Sequence, residues 1–487
     1  MHELLPLADV VIIPRSSRGD RETTIPLSSL DGVDFFTQEI FESLERGEAD
    51  LAVHSLKDLS APHFFSHEAF AVIDRDDVRD VAIFNPNVLE KIRRGEIINI
   101  GTCSPRREEM AIEFLRKALP QLAQSIHIEV SSIRGNVEGR LKQLAEGKFD
   151  ATILATAGLN RLLKHEQEMG DDHLVADLLK DKMLMLLPLI ECAPAPCQGA
   201  IVVEGNPRNP DAIELLKKMN NPQLFQDAYA EKKRAYEYGT GCLQKFGVVT
   251  FASDHGSFLY AAGEDQYGIK FSEWKGLPAL DLNGSTLFAS TDHMRSFFEY
   301  HPGEFNQTID QQNVFIANYK ALLSPSTVEV LSRKNIWASG TKTWLELAKL
   351  GLWVRGSADA MGFEKFLPVL KMPLFGMDAN DICILTHQAA AARWKSKGFH
   401  AAYNYNLRAT SSPILEDAVR KADHFFWSSY AQFEHFGHLA RKDAIHICPS
   451  GETANLLMKA GLDAVVFPTI KSFEQWRKLN IHLPSVA

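Results

Sequence analysis

From Asp9 to about Gly205, short apolar runs alternate with segments whose apolar residues recur every third or fourth position. "DVVIIP" (9–14), "ADLAVHS" (49–55), "IINIG" (97–101), "IHIEVSSI" (126–133) and "DATILATAG" (150–158) have the length and composition of buried strands. Between them, "DFFTQEIFESLERG" sets Phe36, Ile40 and Leu44 at helical spacing and stops at Gly47. "TCSPRREEMAIEFLRKAL" offers Ser104 as a cap and Pro105 for the first helical position, and "VEGRLKQLAEG" follows the turn "RGN". This β-α-β-α rhythm predicts parallel sheets covered on both faces. The acidic break "DRDDVRD" (74–80) interrupts it, and "LIECAPAPCQGAIVVEG" (189–205) reads as a crossing back. Two α/β lobes joined by two strands, with a cleft between them, satisfy that pattern.

Beyond residue 218 the pattern changes. A helix over about 222–238 precedes short alternating strands, a small α+β domain over 219–282, and "KGLPALDLNGS" (275–285) has the Gly and Pro of a linker. The remainder repeats itself. "NVFIANY" (313–319) matches "HFFWSSY" (424–430) at an offset of 111 residues, and "GTKTWLELAKLGL" (340–352) matches "SGETANLLMKAGL" (450–462) at 110. Two such offsets predict two equivalent α/β lobes. The expected domains are therefore 1–75 with 191–218, then 76–190, 219–282 and 283–487.

At 487 residues and a net charge of −10, the chain has the size of several domains and lacks the basic footprint of a general nucleic-acid binder. Any polyanion it holds needs a local cluster of cations. Its six cysteines form no C-x-x-C pair and no metal-ligand pattern, which fits a reducing compartment. The first twenty residues lack a basic n-region, and the longest apolar run, "MLMLLPLI", is too short to span a bilayer. These features lead us to expect a cytoplasmic monomer with small-molecule substrates, and no nucleic acid, membrane or metal as partner.

Three groups of residues carry candidate chemistry. Arg106, Arg107, Arg134, Arg140 and Arg161 all follow the ends of strands that a parallel sheet would align at one edge, where ligands bind. Guanidinium groups pair carboxylates in a bidentate, charge-assisted manner, so five of them predict an anion site rather than a solvated face paired with Glu108 and Glu109. In "LAVHSLKDL" a strand ends at Lys57 and Asp58, where a carboxylate can stabilise positive charge or move protons; His54 suits a hydrogen-bonded core position. Cys242, in "EYGTGCLQKFG", stands among small residues where a loop would leave the thiol accessible.

"HSLKD", "GTCSPRR", "IRGNVEGRL", "DATILATAGLNRL", "CQGA" and "GTGC" occur in the order found in porphobilinogen deaminase, and the first half, about residues 10–250, resembles that family. The resemblance implies two periplasmic-binding-protein-like lobes and a third small domain. It implies that Cys242 carries a covalent dipyrromethane primer, and that Asp58 is the catalytic aspartate, stabilising cationic azafulvene-type intermediates as ammonia leaves. Lys57, Ser104, Arg106, Arg107 and Arg140 match positions that hold the cofactor; Thr102, Arg134, Arg161 and Gln198 match positions that hold substrate. Four porphobilinogens would then be condensed into hydroxymethylbilane. The sequence departs from the family in lacking its first strand and helix ahead of "DVVIIP", so the first lobe's sheet is expected to be incomplete. It also carries Asp31 and Val33 in a loop that is usually Gly- and Lys-rich, and Cys197 and Thr240 replace usual glycines.

The twin-lobed second half resembles uroporphyrinogen-III synthase in its repeat, in the "GTKT" and "SGET" helix starts and in "YNYN". Thr343, Tyr405, Ser428, Ser429 and Thr453 match that family's cleft positions, although turn and capping roles explain them equally well. The combined expectation is a bifunctional enzyme of tetrapyrrole (haem) biosynthesis, a transferase joined to a lyase that closes hydroxymethylbilane into uroporphyrinogen III. The alternative is a catalytically decayed two-lobed anion-binding protein.

Overall fold

The computed structural model describes residues 10–15, 37–66, 69–170, 173–239, 244–282, 284–294, 296–303, 307–323, 325–410 and 412–481. Its contacts divide into two compact units, the second built chiefly from Glu273 onward.

In the first unit, β1 (Leu51–Ser55), β2 (Phe70–Arg75) and, much later, β8 (Ala200–Gly205) form one sheet in the order β1-β8-β2. Between them in the chain come β3 (Asp80–Phe84), β4 (Ile98–Gly101), β5 (Ile128–Ser131), β6 (Ala151–Ala155) and β7 (Met183–Leu186), which make a second sheet in the order β5-β4-β6-β3-β7. The chain thus passes from the first sheet to the second between β2 and β3, and back between β7 and β8.

The sheets are mixed, not parallel as the rhythm predicted. β8 runs antiparallel to both β1 and β2, and β3 runs antiparallel to both β6 and β7, whereas β4 is parallel to β5 and β6. The reversed strand in each sheet is the one that arrives directly from the other. A parallel neighbour needs a return crossover, usually helical, and these two strands enter without one. "DVVIIP" also departs from expectation. Residues 10–15 form no strand, and Val11, Ile12 and Ile13 are exposed, because no described strand offers their backbone a ladder partner.

Local signals set the helices. Asn221 caps the helix Pro222–Tyr238 by accepting from the amides of Gln223 and Leu224, and Pro222 occupies its first turn. Asn209 and Pro210 start Pro210–Met219 in the same way. Gly47 closes the helix Gln38–Glu45 with φ of +70°. A third sheet, in the order β11-β10-β9, comprises β9 (Lys245–Ser253), β10 (Gly256–Glu264) and β11 (Lys270–Lys275). At Gly247 it meets the segment returning from β7, and a Cβ there would lie 2.1 Å from the Ala193 carbonyl oxygen.

One buried carboxylate links these parts. Glu231, on the helix Pro222–Tyr238, takes both terminal nitrogens of Arg75 at 2.9 Å, the Cys197 amide at 2.7 Å and the Thr250 amide at 2.8 Å. It thereby ties β2, the returning segment and β9 to one helix. In the first sheet, Glu204 accepts from His54 and His63 at 3.1 and 2.9 Å. Burial alone would raise the Glu204 carboxyl, but those hydrogen bonds hold it at about 2.

The second unit contains two further sheets. In chain order its strands are β12 (Leu287–Ala289), β13 (Phe298–Pro302), β14 (Asn313–Ile316), β15 (Asn335–Ala338), β16 (Val354–Ser357), β17 (Ile382–His387), β18 (His400–Ala409), β19 (His424–Phe426), β20 (Ile445–Pro449) and β21 (Val465–Phe467). One sheet has the order β13-β18-β17-β14-β15-β16, and the other β12-β19-β20-β21. The two copies of the repeat fall in different sheets: β14 and the helix Thr341–Lys349 in the first, β19 and the helix Glu452–Lys459 in the second.

Replacing Glu231 with Gln should strand the Arg75 guanidinium in the interior, at a cost of about 3–5 kcal/mol in a denaturant titration. Glu264→Gln, which loses an exposed pair with Lys245, should leave the midpoint unmoved.

Candidate active site

β4, β5 and β6 run in the same direction, so the residues after them share one edge of the second sheet. After β4, the helix opens with a π-turn over Arg107–Ala111, a widening that is common at functional sites. After β5, Asn136 caps the helix Val137–Ala145, which carries Arg140. After β6 comes the helix Thr156–Met169 with Arg161. Their side chains surround a cavity of about 230 Å³, which is also lined by Ser55, Lys57, Gln198 and Gly199.

The cations are stabilised in two different ways. Arg106 and Arg107 each give a terminal nitrogen to one oxygen of the buried Asp80, both at 2.8 Å. Their other terminal nitrogens reach the carbonyls of Ala193 and Ile153, again at 2.8 Å. Burial would raise the Asp80 carboxyl, but the two guanidiniums hold it far below the usual carboxylate range. Gln198 completes the group, donating to Asp80 at 3.0 Å and to the Val78 carbonyl at 2.8 Å. Among the described residues, Arg107 still has a buried Nε with no partner, and Arg140 has no such counter-ion. Burial, and then the charges of Arg107 and Arg134, make its protonated form less favourable than usual. Lys57 is likewise shifted down, first by burial and then by Arg107, with Asp58 as the largest opposing charge. A cavity whose cations repel one another gains by admitting an anion.

Of the residues expected here, Lys57, Arg107, Arg140, Arg161 and Gln198 share the cavity, and Arg106 does not line it. Arg106 is buried against Asp80, so five free guanidiniums on one wall is corrected to three lining the cavity, two of them paired with a carboxylate: Arg107 with Asp80, and Arg161 with Asp74 at 3.6 Å. Arg134 lies outside the lining, within electrostatic reach of Arg140. Thr102 is buried and its hydroxyl accepts from the Ser104 amide at 3.2 Å, while Ser104 faces the Arg107 amide at 3.5 Å. Asp58 is exposed at the end of the short turn Leu56–Asp58. Cys242, Thr240, Asp31 and Val33 lie outside the described residues.

The returning loop closes the wall under backbone constraint. Gly199, at φ of +82°, would place a Cβ 2.5 Å from the Asp76 carbonyl oxygen, and its own carbonyl accepts from Arg161 at 2.6 Å. Cys197 has φ of +61°, the left-handed region where glycine is favoured, and burial pushes its thiol up to about 12. Sequence reasoning missed Asp80, which sits inside the stretch read as a mere acidic break. Its signal was an aspartate opening the wholly apolar run "DVAIF".

In the second unit, Thr343 is buried beside Ser339 at 3.2 Å, and Tyr405 is buried on β18, where burial raises its phenol. Ser429 forms a capping box with Gln432, and Ser428 bonds Ser290 and Gln432. Thr453 lies in the first turn of Glu452–Lys459. Tyr405 lies on a strand of the six-stranded sheet and Thr343 in the helix after β15, while Ser428, Ser429 and Thr453 follow strands of the four-stranded one. Among the described residues, no group of three His, Cys, Asp or Glu could hold a metal ion, and no helix is long and apolar enough to cross a membrane.

Residues 2–214 match the family model described as porphobilinogen deaminase, dipyromethane cofactor binding domain. The chain is 33% identical over 246 residues to porphobilinogen deaminase of Nitrosomonas europaea, spanning 50% of this chain and 71% of that protein. It is 35% identical over 257 residues to porphobilinogen deaminase of Chromobacterium violaceum, spanning 52% and 74%. Among solved structures, the ligand-binding component of an ABC-type import system from Staphylococcus aureus aligns at 12% identity over 44% of this chain and 87% of that one. Its TM-score of 0.23 is too low to bear on the fold.

Arg140→Glu should weaken anion binding far more than stability, read as a raised KM against an unchanged melting temperature. Asp80→Asn should do the reverse, leaving two buried guanidiniums without their carboxylate at a cost of about 3–5 kcal/mol. Because the folded Asp80 pKa is depressed, its contribution is complete above about pH 4 and fades as pH falls below that value. Asp80→Asn should therefore flatten the acid limb of a stability–pH profile.

Proposed function

The chain belongs to the porphobilinogen deaminase family, and from that premise we propose that its first half condenses four porphobilinogen molecules into hydroxymethylbilane with loss of ammonia. The observation that carries this reading is the cationic cavity beside Lys57 and Asp58. Each pyrrole of the product bears two carboxylates, so the growing chain is a polyanion that needs a wall of paired cations.

The family's dipyrromethane cofactor fits the residues present. Among the described residues Arg107 has an unpartnered Nε and Arg140 lacks a counter-ion, and Lys57 is destabilised as a cation, so the carboxylates of such a group would satisfy all three. Lys57, Ser104, Arg106, Arg107 and Arg140 are assigned to hold it, Arg106 through the shared Asp80, and Cys242 to attach it. When bound, it supplies the pyrrole carbon to which the first substrate is joined. Asp58 sets its carboxylate against the pyrrole nitrogen that becomes positive as the amine leaves. Thr102, Arg134, Arg161 and Gln198 are assigned to the incoming substrate. Arg161 and Gln198 contribute from the cavity wall, and Thr102 acts by shaping the loop.

The second half is proposed to close the linear product into uroporphyrinogen III, inverting the last ring. Supporting this is the internal repeat, whose two copies fall in separate sheets. Orientation of a flexible chain can supply several kcal/mol without a strong acid or base. The decayed binding-protein alternative loses ground because mere binding requires neither Asp58 nor Cys242.

Intact mass of the wild type should exceed that of Cys242→Ser by one dipyrromethane beyond the substitution itself, and equal masses would overturn the attachment. Asp58→Asn should lower turnover about 10²–10³-fold, the usual worth of stabilising charge that develops in the transition state, with primer content retained. For the second half, full-length protein given porphobilinogen should yield the type III isomer in excess. Type I alone would remove the cyclisation reading and leave the deaminase reading standing.

A further inference from the structure

We propose that Lys320 and Lys342, held over tyrosine faces in the six-stranded sheet of the second unit, form a subsite for the carboxylates of a tetrapyrrole. This rests on reading that half as the part that handles the linear product, and it assigns the subsite to two lysines outside the five polar residues expected at its cleft.

The topology selects the place. From β14 the chain moves outward through β15 and β16, then returns to the other side of β14 as β17 and β18. The strand order therefore reverses at β14, and in such sheets ligands bind beyond the C-terminal ends of the strands at that reversal. The segment after β14 carries Tyr319 and Lys320, and the helix after β15 carries Lys342 in its first turn. β13, paired antiparallel with β18, brings Tyr300 to the same place.

The side chains there form one cluster. The Lys320 Nζ lies 4.3 Å from the ring centre of Tyr300 and 5.1 Å from that of Tyr319, and the Lys342 Nζ lies 5.1 Å from Tyr319. The Tyr405 ring is 6.4 Å from Tyr300. Among the described residues, neither lysine is ion-paired with a carboxylate. In a chain with 62 acidic and 52 basic residues, two neighbouring lysines without an acidic partner stand out. Aromatic faces hold an ammonium in position while leaving its hydrogen-bond donors free on the outer side. Ammonium groups meet the acetate and propionate arms of a tetrapyrrole, and tyrosine rings beside them suit its flat pyrroles.

The test uses the full-length chain and uroporphyrin, an eight-carboxylate fluorescent tetrapyrrole, titrated by fluorescence quenching. Arg140→Glu is included throughout so that the deaminase cavity contributes little. In that background Lys320→Gln with Lys342→Gln should weaken binding roughly tenfold or more and flatten its salt dependence, with the melting temperature unchanged. Lys320→Arg with Lys342→Arg should retain the parent's binding. Affinity within twofold of the parent would overturn the subsite. The cyclisation reading is tested separately with Arg140 intact. If the parent makes no type III isomer yet uroporphyrin binding depends on the lysines, cyclisation fails and the subsite stands. If the Gln pair leaves type III formation and its KM unchanged, the subsite fails and cyclisation stands.

Discussion

The first unit depends on how an acidic protein keeps positive charge concentrated and dry. Asp80 is the device: one buried carboxylate receives two guanidiniums at 2.8 Å, and each arginine also anchors on a main-chain carbonyl. Without it, Arg106 and Arg107 would repel each other at the mouth of the same helix. With it, the pair carries one net positive charge and a fixed geometry. The remaining cations of the cavity, Arg140, Arg161 and Lys57, are then arranged around an arginine that cannot swing away. Asp80 opens β3, the strand that arrives reversed from the other sheet, so the counter-ion is delivered by the crossing itself.

The second crossing is fixed by the same principle. Glu231 receives Arg75, where β2 leaves the first sheet, and the Cys197 amide, where the returning segment turns toward β8. Both passages between the sheets therefore converge on one carboxylate of one helix. This arrangement accounts for a residue that departs from the family pattern. Cys197 is held at φ of +61°, which costs an ordinary side chain on the order of 1 kcal/mol, and the hydrogen bond its amide donates to Glu231 keeps it there. The adjacent Gly199 has no such latitude, because the Asp76 carbonyl occupies the space of a Cβ.

Much of this was legible in the sequence, and the omissions have a common cause. Helix starts after Asn136 and Asn221 follow from local chemistry, as does the alignment of the arginines after β4, β5 and β6, which needs only a strand followed by a helix. Strand direction is not local. β3 and β8 are apolar runs like their neighbours, and nothing within them records that they arrive from another sheet. "DVVIIP" fails for the same reason, since an apolar run becomes a strand only where a ladder is offered. Asp80 and Glu231 were invisible because a buried carboxylate is marked by partners 19 or more residues away, among them Arg106, Cys197 and Thr250, and not by its own surroundings. The five polar residues assigned to the second half illustrate the converse. Ser429 and Thr343 have the right residue types, but local bonds to Gln432 and Ser339 account for them, and a local bond carries no information about a ligand.

The two halves differ in how they present cations, and the difference matches the tasks proposed for them. Arginines that share a buried carboxylate are rigid and deep, which suits a chain that stays attached and must be placed accurately for each of several condensations. Lysines over tyrosines are compact charges on flexible stems at a partly exposed edge, held by faces that do not compete for their donors. On the proposed reading, such a surface would grip a mobile polyanion from one side while permitting its last ring to turn, which a bidentate clamp would resist. If the second half acts on the product of the first, covalent linkage raises the local concentration of that product around it, whatever the path between them. Under that proposal the charge arrangement and the linkage address the same chemical problem, an intermediate that closes without inversion if it is left free.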